Sequence, residues 1–194
     1  MSPPREQTIR LFVAMPLPQP LKDILKTDLE LLKKQYPFQK WVHPQDLHLT
    51  LVFLGDMAPS SIDAVADRLR EAAAGRPPFP LRLEEAGVFG PPRSPRVLWA
   101  GVEGGVAELR DLQARVSDSL TAVGYTPEDR AYSPHLTLAR QYAGSSPVSK
   151  EALAAVFPKG AAAYAWTADR LVLYRSHLGK LPMYEELVSV PFSG

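Results

Sequence analysis

The sequence predicts a single domain of mixed strands and helices, in which the order of elements is repeated in the two halves of the chain. Its 194 residues suit one domain, or one domain with two lobes. Hydrophobic residues make up 45% and charged residues 22%, which excludes a disordered tail, a collagen-like chain and a coiled coil. The tetrapeptide His-Leu-Thr-Leu occurs at 48–51 and again at 135–138, which indicates an internal duplication.

The first half is predicted to contain three strands separated by two helices. The strands are β-rich or alternating apolar segments, and the helices carry apolar residues at helical spacing. In chain order the predicted elements are a strand at 8–15, a helix with Leu21, Ile24, Leu25 and Leu32 on one stripe, an apolar strand at 47–54 ending at Gly55-Asp56, a helix with Ile62, Val65, Ala66 and Leu69 capped by Ser60 or Ser61, and a strand at 79–83.

The second half repeats this order and adds a closing strand. Its predicted elements are a strand at 96–102, a helix at 109–123 ended by Gly124, a strand at 134–138, a short helix at 149–156, and strands at 171–174 and 186–190. The two tetrapeptides lie 87 positions apart, and the opening strands are offset by a similar distance. A duplication of approximately 8–90 and 95–191 within one domain is therefore predicted, with a period too long for a solenoid repeat.

Composition and charge narrow the classes of function. With 22 Lys and Arg against 21 Asp and Glu, the net charge is +1, so a nucleic acid could bind only through a local site. The chain has no cysteine, which excludes disulfides, thiolate nucleophiles and cysteine-based zinc sites. No run of 18 apolar residues and no hydrophobic signal core are present, so we expect a soluble, cytoplasmic protein that does not enter membranes.

The repeated tetrapeptide supplies the candidate catalytic residues. Side chains two positions apart on a strand share a face, so His48 lies beside Thr50, and His135 beside Thr137. If a pseudo-twofold axis relates the halves, the two pairs meet across a cleft. Two imidazoles can act as acid and base near neutral pH, and two hydroxyls can donate hydrogen bonds to phosphoryl oxygens. Such a site suits displacement at phosphorus when the substrate is itself a strained electrophile.

Around these residues the sequence resembles the 2H phosphoesterases, which are named for two His-x-Thr motifs, and within them the RNA 2′,3′-cyclic phosphodiesterase (2′-5′ RNA ligase) family. The resemblance covers nearly the whole chain, through segments 10–14, 41–55, 95–99, 133–140 and 173–176 with Gly179 and Tyr184. It implies a bilobed α+β fold, in which two pseudo-symmetric lobes, each with an antiparallel sheet and helices, flank an active-site cleft.

The same resemblance implies hydrolysis of RNA or nucleotide 2′,3′-cyclic phosphates to 2′-phosphates, with 2′-5′ ligation as the reverse reaction. His48 would be the proton donor and His135 the proton acceptor that activates water, while Thr50 and Thr137 would hold the phosphate. No cofactor and no metal are expected. The expected partner is an RNA with a cyclic phosphate end, or a small cyclic nucleotide, bound by a monomer.

Two further site residues follow from the family pattern. It suggests Arg140 as a phosphate or ribose contact and Phe53 as a neighbour on which a base stacks. Strict strand alternation places both on the face opposite the histidines, because each is an odd number of positions away. A bulge or the end of the strand could turn them back.

Three alternative functions remain open from the residues. A related enzyme could act on another cyclic phosphate, such as an ADP-ribose cyclic phosphate, or on a 2′-5′-linked oligonucleotide. A non-catalytic RNA-binding module is a second alternative, although a pure binder has no need of both His48 and His135. A zinc site of these two histidines with His43 or His177 is the third, without support from a His-x-x-x-His helix or a cysteine.

Overall fold

The computed structural model describes residues 7–158 and 160–194, and within them it contains nine strands and four α-helices. The strands are β1 (Ile9–Pro16), β2 (Phe38–Trp41), β3 (His48–Met57), β4 (Phe79–Phe89), β5 (Val97–Gly104), β6 (Leu136–Tyr142), β7 (Ala165–Ala168), β8 (Arg170–Ser176) and β9 (Tyr184–Pro191). The helices are α1 (Gln19–Gln35), α2 (Ile62–Ala73), α3 (Val106–Leu120) and α4 (Lys150–Ala154).

All strand pairs between the named strands are antiparallel, and together they form one sheet in the order β7-β4-β5-β6-β3-β1-β8-β9, with β2 paired to β6. At the centre, β6 and β3 pair only through Leu49 and Leu136. This narrow junction divides the sheet into two half-sheets, one of β7, β4, β5 and β6 with β2, the other of β3, β1, β8 and β9. The predicted α+β class, with an antiparallel sheet in each of two lobes, is confirmed.

The order of strands is symmetric about the central junction. If β3 corresponds to β6, β1 to β5, and β4 to β8, the sheet reads the same from both ends. The third strand of each chain half is exchanged, because β4 pairs with β5 and β8 pairs with β1. Each half-sheet therefore takes strands from both halves of the chain, and the lobes do not coincide with 8–90 and 95–191. The order supports the duplication, which stays a prediction.

The main core lies on one face of the sheet, beneath the helices. Alternation along β1 sends Leu11, Val13 and Met15 into this core, while Phe12 and Ala14 point to the other face. There Phe12 is fully buried in a second, smaller apolar cluster with Ala14, Val172 and Tyr174. His48, the histidine of the first motif, packs against this second cluster.

Some predicted elements differ in detail from the structure. In α1 the buried stripe runs through Leu21, Leu25, Leu29 and Leu32, and Ile24 lies at the edge of that stripe, 38% exposed. Ser61 does not cap α2 as predicted, because it lies in a 3₁₀ turn and its hydroxyl donates to the carbonyl oxygen of Ala58, 2.7 Å away. The short strands β2 and β7 were not predicted. In the part of the chain that the structure describes, no helix is long and apolar enough to cross a bilayer.

Candidate active site

The single pairing of Leu49 with Leu136 brings the two motifs together. Both leucines are fully buried in the core, so their strand neighbours His48, Thr50 and Thr137 point to the opposite face and are only partly buried. In an antiparallel pair this register directs His48 towards Thr137 and Thr50 towards His135. The four predicted catalytic and phosphate-binding residues therefore surround the centre of the pseudo-symmetric sheet.

Both motif histidines are oriented by a backbone carbonyl two residues earlier. The Nδ1 atom of His48 lies 2.6 Å from the carbonyl oxygen of Asp46, and the Nδ1 atom of His135 lies 2.8 Å from that of Ser133. Because a carbonyl oxygen can only accept a hydrogen bond, each Nδ1 carries a proton. Each neutral imidazole therefore has an unprotonated Nε2 atom that can accept a proton, and the Thr50 hydroxyl donates a hydrogen bond to that atom of His48 at 3.0 Å.

Aromatic side chains enclose the His48 ring. Phe12 and Tyr184 approach it with ring centroids 4.9 and 5.1 Å away, and Tyr174 follows at 6.0 Å. Burial among these rings is the main reason that the pKa of His48 falls to about 4, against the opposing effects of the hydrogen bond and negative charge of Asp46. His48 is therefore neutral at neutral pH in the free protein.

The surroundings of His135 differ in charge. The rings of His135 and Phe89 are nearly perpendicular, with centroids 5.0 Å apart. Burial lowers the pKa of His135, the hydrogen bond to Ser133 opposes this, and the positive charges of Arg140 and Arg130 lower it further. No carboxylate of the described residues contributes, whereas His48 has one beside it in Asp46.

Asp46 also connects His48 to the segment that contains Met183 and Tyr184. Its buried carboxylate accepts hydrogen bonds from the backbone N–H groups of Met183, at 2.8 Å, and Tyr184, at 3.1 Å. The same residue therefore positions His48 through its carbonyl and Tyr184 through its carboxylate. The sequence analysis noted Tyr174 and Tyr184 only as part of the family segments, and it assigned no role to Asp46 or Phe89. Asp46 stands inside the first motif block, and that position was the available signal.

A bulge in β3 returns Phe53 to the histidine face. Thr50 pairs with Ala14 and Val52 with Val13, so Leu51 has no partner on β1. Leu51 and Val52 are both buried, at 4% and 2% exposed, and Phe53 emerges 51% exposed. Its ring stacks on Phe12 with centroids 5.5 Å apart. The expectation from strict alternation, that Phe53 faces away from His48, is wrong because one extra residue reverses the parity.

The second motif strand contains the same irregularity. Thr137 pairs with Trp99 and Ala139 with Leu98, which leaves Leu138 without a partner on β5. Leu138 and Ala139 are both fully buried, and Arg140 is exposed. The charge of Arg140 lowers the pKa of both His48 and His135. Arg140 and Phe53 each stand five residues after a motif histidine, at equivalent positions of the two strands.

The other two histidines have separate contacts. The Nδ1 atom of His43 accepts from the backbone N–H of Gln45 at 3.2 Å, and the Nε2 atom of His177 lies 2.6 Å from a carboxylate oxygen of Glu185. Among residues 7–158 and 160–194, no three His, Cys, Asp or Glu side chains are grouped so that they could hold a metal ion. The described residues therefore do not form the zinc arrangement considered above.

Comparisons with known proteins agree in sequence and in fold. RNA 2′,3′-cyclic phosphodiesterase of Geobacillus stearothermophilus is 33% identical over 94% of this chain, and the chain spans 57% of that protein's length. The protein of the same name from Bacillus subtilis (strain 168) is 32% identical, with 94% of this chain and 96% of that protein covered.

Solved structures show the same architecture. The apo form of E. coli LigT matches 97% of this chain and 99% of its own with a TM-score of 0.75 at 23% identity, which is a likeness of fold. TT0787 of Thermus thermophilus matches 96% of this chain and 99% of its own with a TM-score of 0.68 at 29% identity. The family model of the 2′-5′ RNA ligase superfamily matches residues 19–180. With that match spanning most of its length, the chain belongs to the 2′-5′ RNA ligase superfamily.

Proposed function

We propose that this protein hydrolyses 2′,3′-cyclic phosphates at the ends of RNA, or on nucleotides, to 2′-phosphates. The observation that carries the proposal is the pairing of Leu49 with Leu136, whose register directs His48 towards Thr137 and Thr50 towards His135. The names of two relatives, which are about a third identical to this chain over the aligned residues, support the same substrate class.

The reaction is an in-line displacement at phosphorus. A water molecule attacks the phosphorus atom and loses a proton to the Nε2 atom of His135, while the bond from phosphorus to the 3′ oxygen breaks. The departing 3′ oxygen takes a proton from the Nε2 atom of His48. The ring opens to a 2′-phosphate and a free 3′-hydroxyl, and His48 ends neutral while His135 ends protonated. Proton exchange with solvent restores the starting state.

The donor role of His48 is the one that the resemblance to the 2H phosphoesterases assigns to the first motif, and the carboxylate of Asp46 supports it. A general acid must hold a proton when the substrate is bound, and among the described residues Asp46 provides the only carboxylate that favours the protonated form of either motif imidazole. The negative charge of a bound phosphate adds to this effect. Burial, and then the positive charges of Arg140 and Arg130, lower the pKa of His135, which favours the neutral imidazole that a proton acceptor requires. Thr50 and Thr137 donate their hydroxyl hydrogens to the non-bridging phosphate oxygens.

The site also accounts for substrate recognition. Phe53 offers an exposed ring next to His48, and bases stack on such rings with little preference for sequence. Arg140 reaches the same cleft and can pair with phosphate. By microscopic reversibility, a 5′-hydroxyl in place of water would give a 2′-5′ linkage. We expect the protein to act as a monomer in the cytoplasm, which size-exclusion chromatography and fractionation of cells would test.

Product analysis tests the proposed function. The purified protein is incubated with adenosine 2′,3′-cyclic phosphate, and the products are separated by chromatography against 2′- and 3′-phosphate standards. We expect the 2′-phosphate alone. Formation of the 3′-phosphate would overturn the proposed bond cleavage, and absence of hydrolysis of any cyclic-ended substrate would overturn the function. The His48→Ala, His135→Ala double variant is the matched control for contaminating nucleases.

A further inference from the structure

A cationic cavity opens beside the second motif strand. It has a volume of about 540 Å³, and its lining includes Lys40, Arg96, Arg140 and Tyr142. Strand register explains the grouping, because Lys40 on β2 pairs with Arg140 on β6, which pairs in turn with Val97 on β5, next to Arg96. We call this cavity, with Lys40, Arg96 and Arg140, the basic groove.

Among the described residues, no carboxylate forms an ion pair with the three cations of the basic groove. Within residues 7–158 and 160–194, none of their side chains lies within ion-pair distance of a carboxylate, although other arginines of the protein do. All three side chains are exposed to solvent. Three uncompensated positive charges around one concavity repel each other, and an anionic ligand relieves that repulsion.

The basic groove adjoins the second motif through Arg140, which lies on β6 three residues after Thr137. The bulge at Leu138 turns Arg140 to the same face of β6 as Thr137, and the charge of Arg140 lowers the pKa of His48, His135 and Tyr184. Arg140 also lines the cavity that contains Lys40 and Arg96. A chain whose end occupies the cleft can therefore extend directly into the groove.

We propose that the basic groove binds the RNA backbone phosphate that lies immediately 5′ of the terminal cyclic-phosphate nucleotide. Lys40 and Arg96 are then specificity residues that make the protein prefer an oligonucleotide end to a free cyclic mononucleotide. The inference rests on the proposed cyclic phosphodiesterase function. A single-stranded backbone phosphate suits the site because lysine and arginine contacts to phosphate need no particular base sequence.

A comparison of two substrates tests the role of the groove. One is adenosine 2′,3′-cyclic phosphate, which has no further phosphate, and the other is an RNA trinucleotide ending in a 2′,3′-cyclic phosphate. We expect a higher kcat/KM for the trinucleotide, and we expect Lys40→Gln and Arg96→Gln each to lower the ratio of the two kcat/KM values roughly 5-fold. Arg110→Gln is the matched control, because Arg110 is exposed on α3 in the helix layer and should leave the ratio unchanged.

Direct binding provides a readout that is independent of turnover. A fluorescent trinucleotide ending in a 2′-phosphate is titrated with each variant at several salt concentrations, and anisotropy gives the Kd. Each lost cation should weaken binding roughly 5-fold and reduce the slope of log K against log salt by about 0.7.

The two proposals fail in different ways. Hydrolysis of both substrates with a ratio and a salt slope that Lys40→Gln and Arg96→Gln leave unchanged would overturn the groove and leave the phosphodiesterase intact. Absence of hydrolysis would overturn the function, while a reduced salt slope in the variants would still support a phosphate site.

Discussion

The pKa of His48 links the structure of the cleft most closely to its chemistry. In the free protein, burial against Phe12, Tyr174 and Tyr184 lowers this pKa from 6.5 to about 4. A proton donor must be charged in the bound state, so binding of the anionic substrate has to raise the pKa. We expect a bound 2′-phosphate to do so.

The size of the rise follows from Coulomb's law. One negative charge about 4 Å from the imidazolium, at an effective dielectric constant of about 20, stabilises the charged form by about 4 kcal/mol. At about 1.36 kcal/mol for each pKa unit, this corresponds to a rise of roughly 3 units. The pKa of His48 in the complex should therefore lie near 7, where an imidazole can donate and regain a proton within one turnover.

Nuclear magnetic resonance measures both values. Protein with ¹³C-labelled histidine is titrated from pH 3.5 to pH 8 with and without adenosine 2′-phosphate, and the His48 signal is assigned by its loss in His48→Gln. The signal of His177, which is paired with Glu185 on the β8–β9 hairpin, serves as an internal reference. A free-state pKa near 6.5 would refute the desolvation argument. A low pKa that the phosphate leaves unchanged would show that His48 does not face the phosphate.

Four further results are expected. His48→Ala and His135→Ala should each lower kcat on a cyclic phosphate by about 10²–10⁴-fold while the circular dichroism spectrum is unchanged, and wild-type turnover by either would contradict the two-histidine mechanism. Between about pH 6.5 and pH 4 the unfolded chain binds a proton at His48 that the folded protein does not, so the free energy of unfolding should have its full value above about pH 6.5 and fall by about 2–3 kcal/mol towards pH 4. In denaturant unfolding, His48→Gln should show a smaller fall, and an equal fall would contradict this account. Asp46→Ala should lower the free energy of unfolding by about 2–4 kcal/mol, because it leaves the N–H groups of Met183 and Tyr184 without an acceptor. A loss below about 1 kcal/mol in urea titration would show that these hydrogen bonds contribute little to stability. Activity should survive treatment with EDTA, and a loss reversed by a divalent ion would establish a metal requirement.

Local pattern was sufficient to predict the elements that bury one face. The apolar stripe of α1 and the alternation in β4 are visible in the sequence, because burial on one face of a regular element imposes a period on the residues. The two His-x-Thr motifs were found because the tetrapeptide His-Leu-Thr-Leu occurs twice, and residues two apart on a strand share a face. The pairing of their strands at Leu49 and Leu136 then accounts for the cleft.

The features that were missed depend on tertiary pairing. An extra residue within the apolar runs Leu51-Val52 and Leu138-Ala139 changes no hydrophobic pattern, so neither bulge can be read from the sequence. The exchange of β4 and β8 between half-sheets is likewise invisible to local propensity. The hydrogen bond from the Tyr184 N–H group to the Asp46 carboxylate joins residues 138 positions apart, so it could be found only in the structure.

The division of labour between His48 and His135 is tested most directly by changing the leaving group. In a cyclic phosphorothiolate, sulfur replaces the 3′ bridging oxygen, and a thiolate departs without help from a general acid. We predict that this substrate restores most of the activity of His48→Ala relative to wild type on the same substrate, while His135→Ala stays impaired because water must still lose its proton. Rescue of His135→Ala alone, or equal rescue of both variants, would contradict the assignment of His48 as donor.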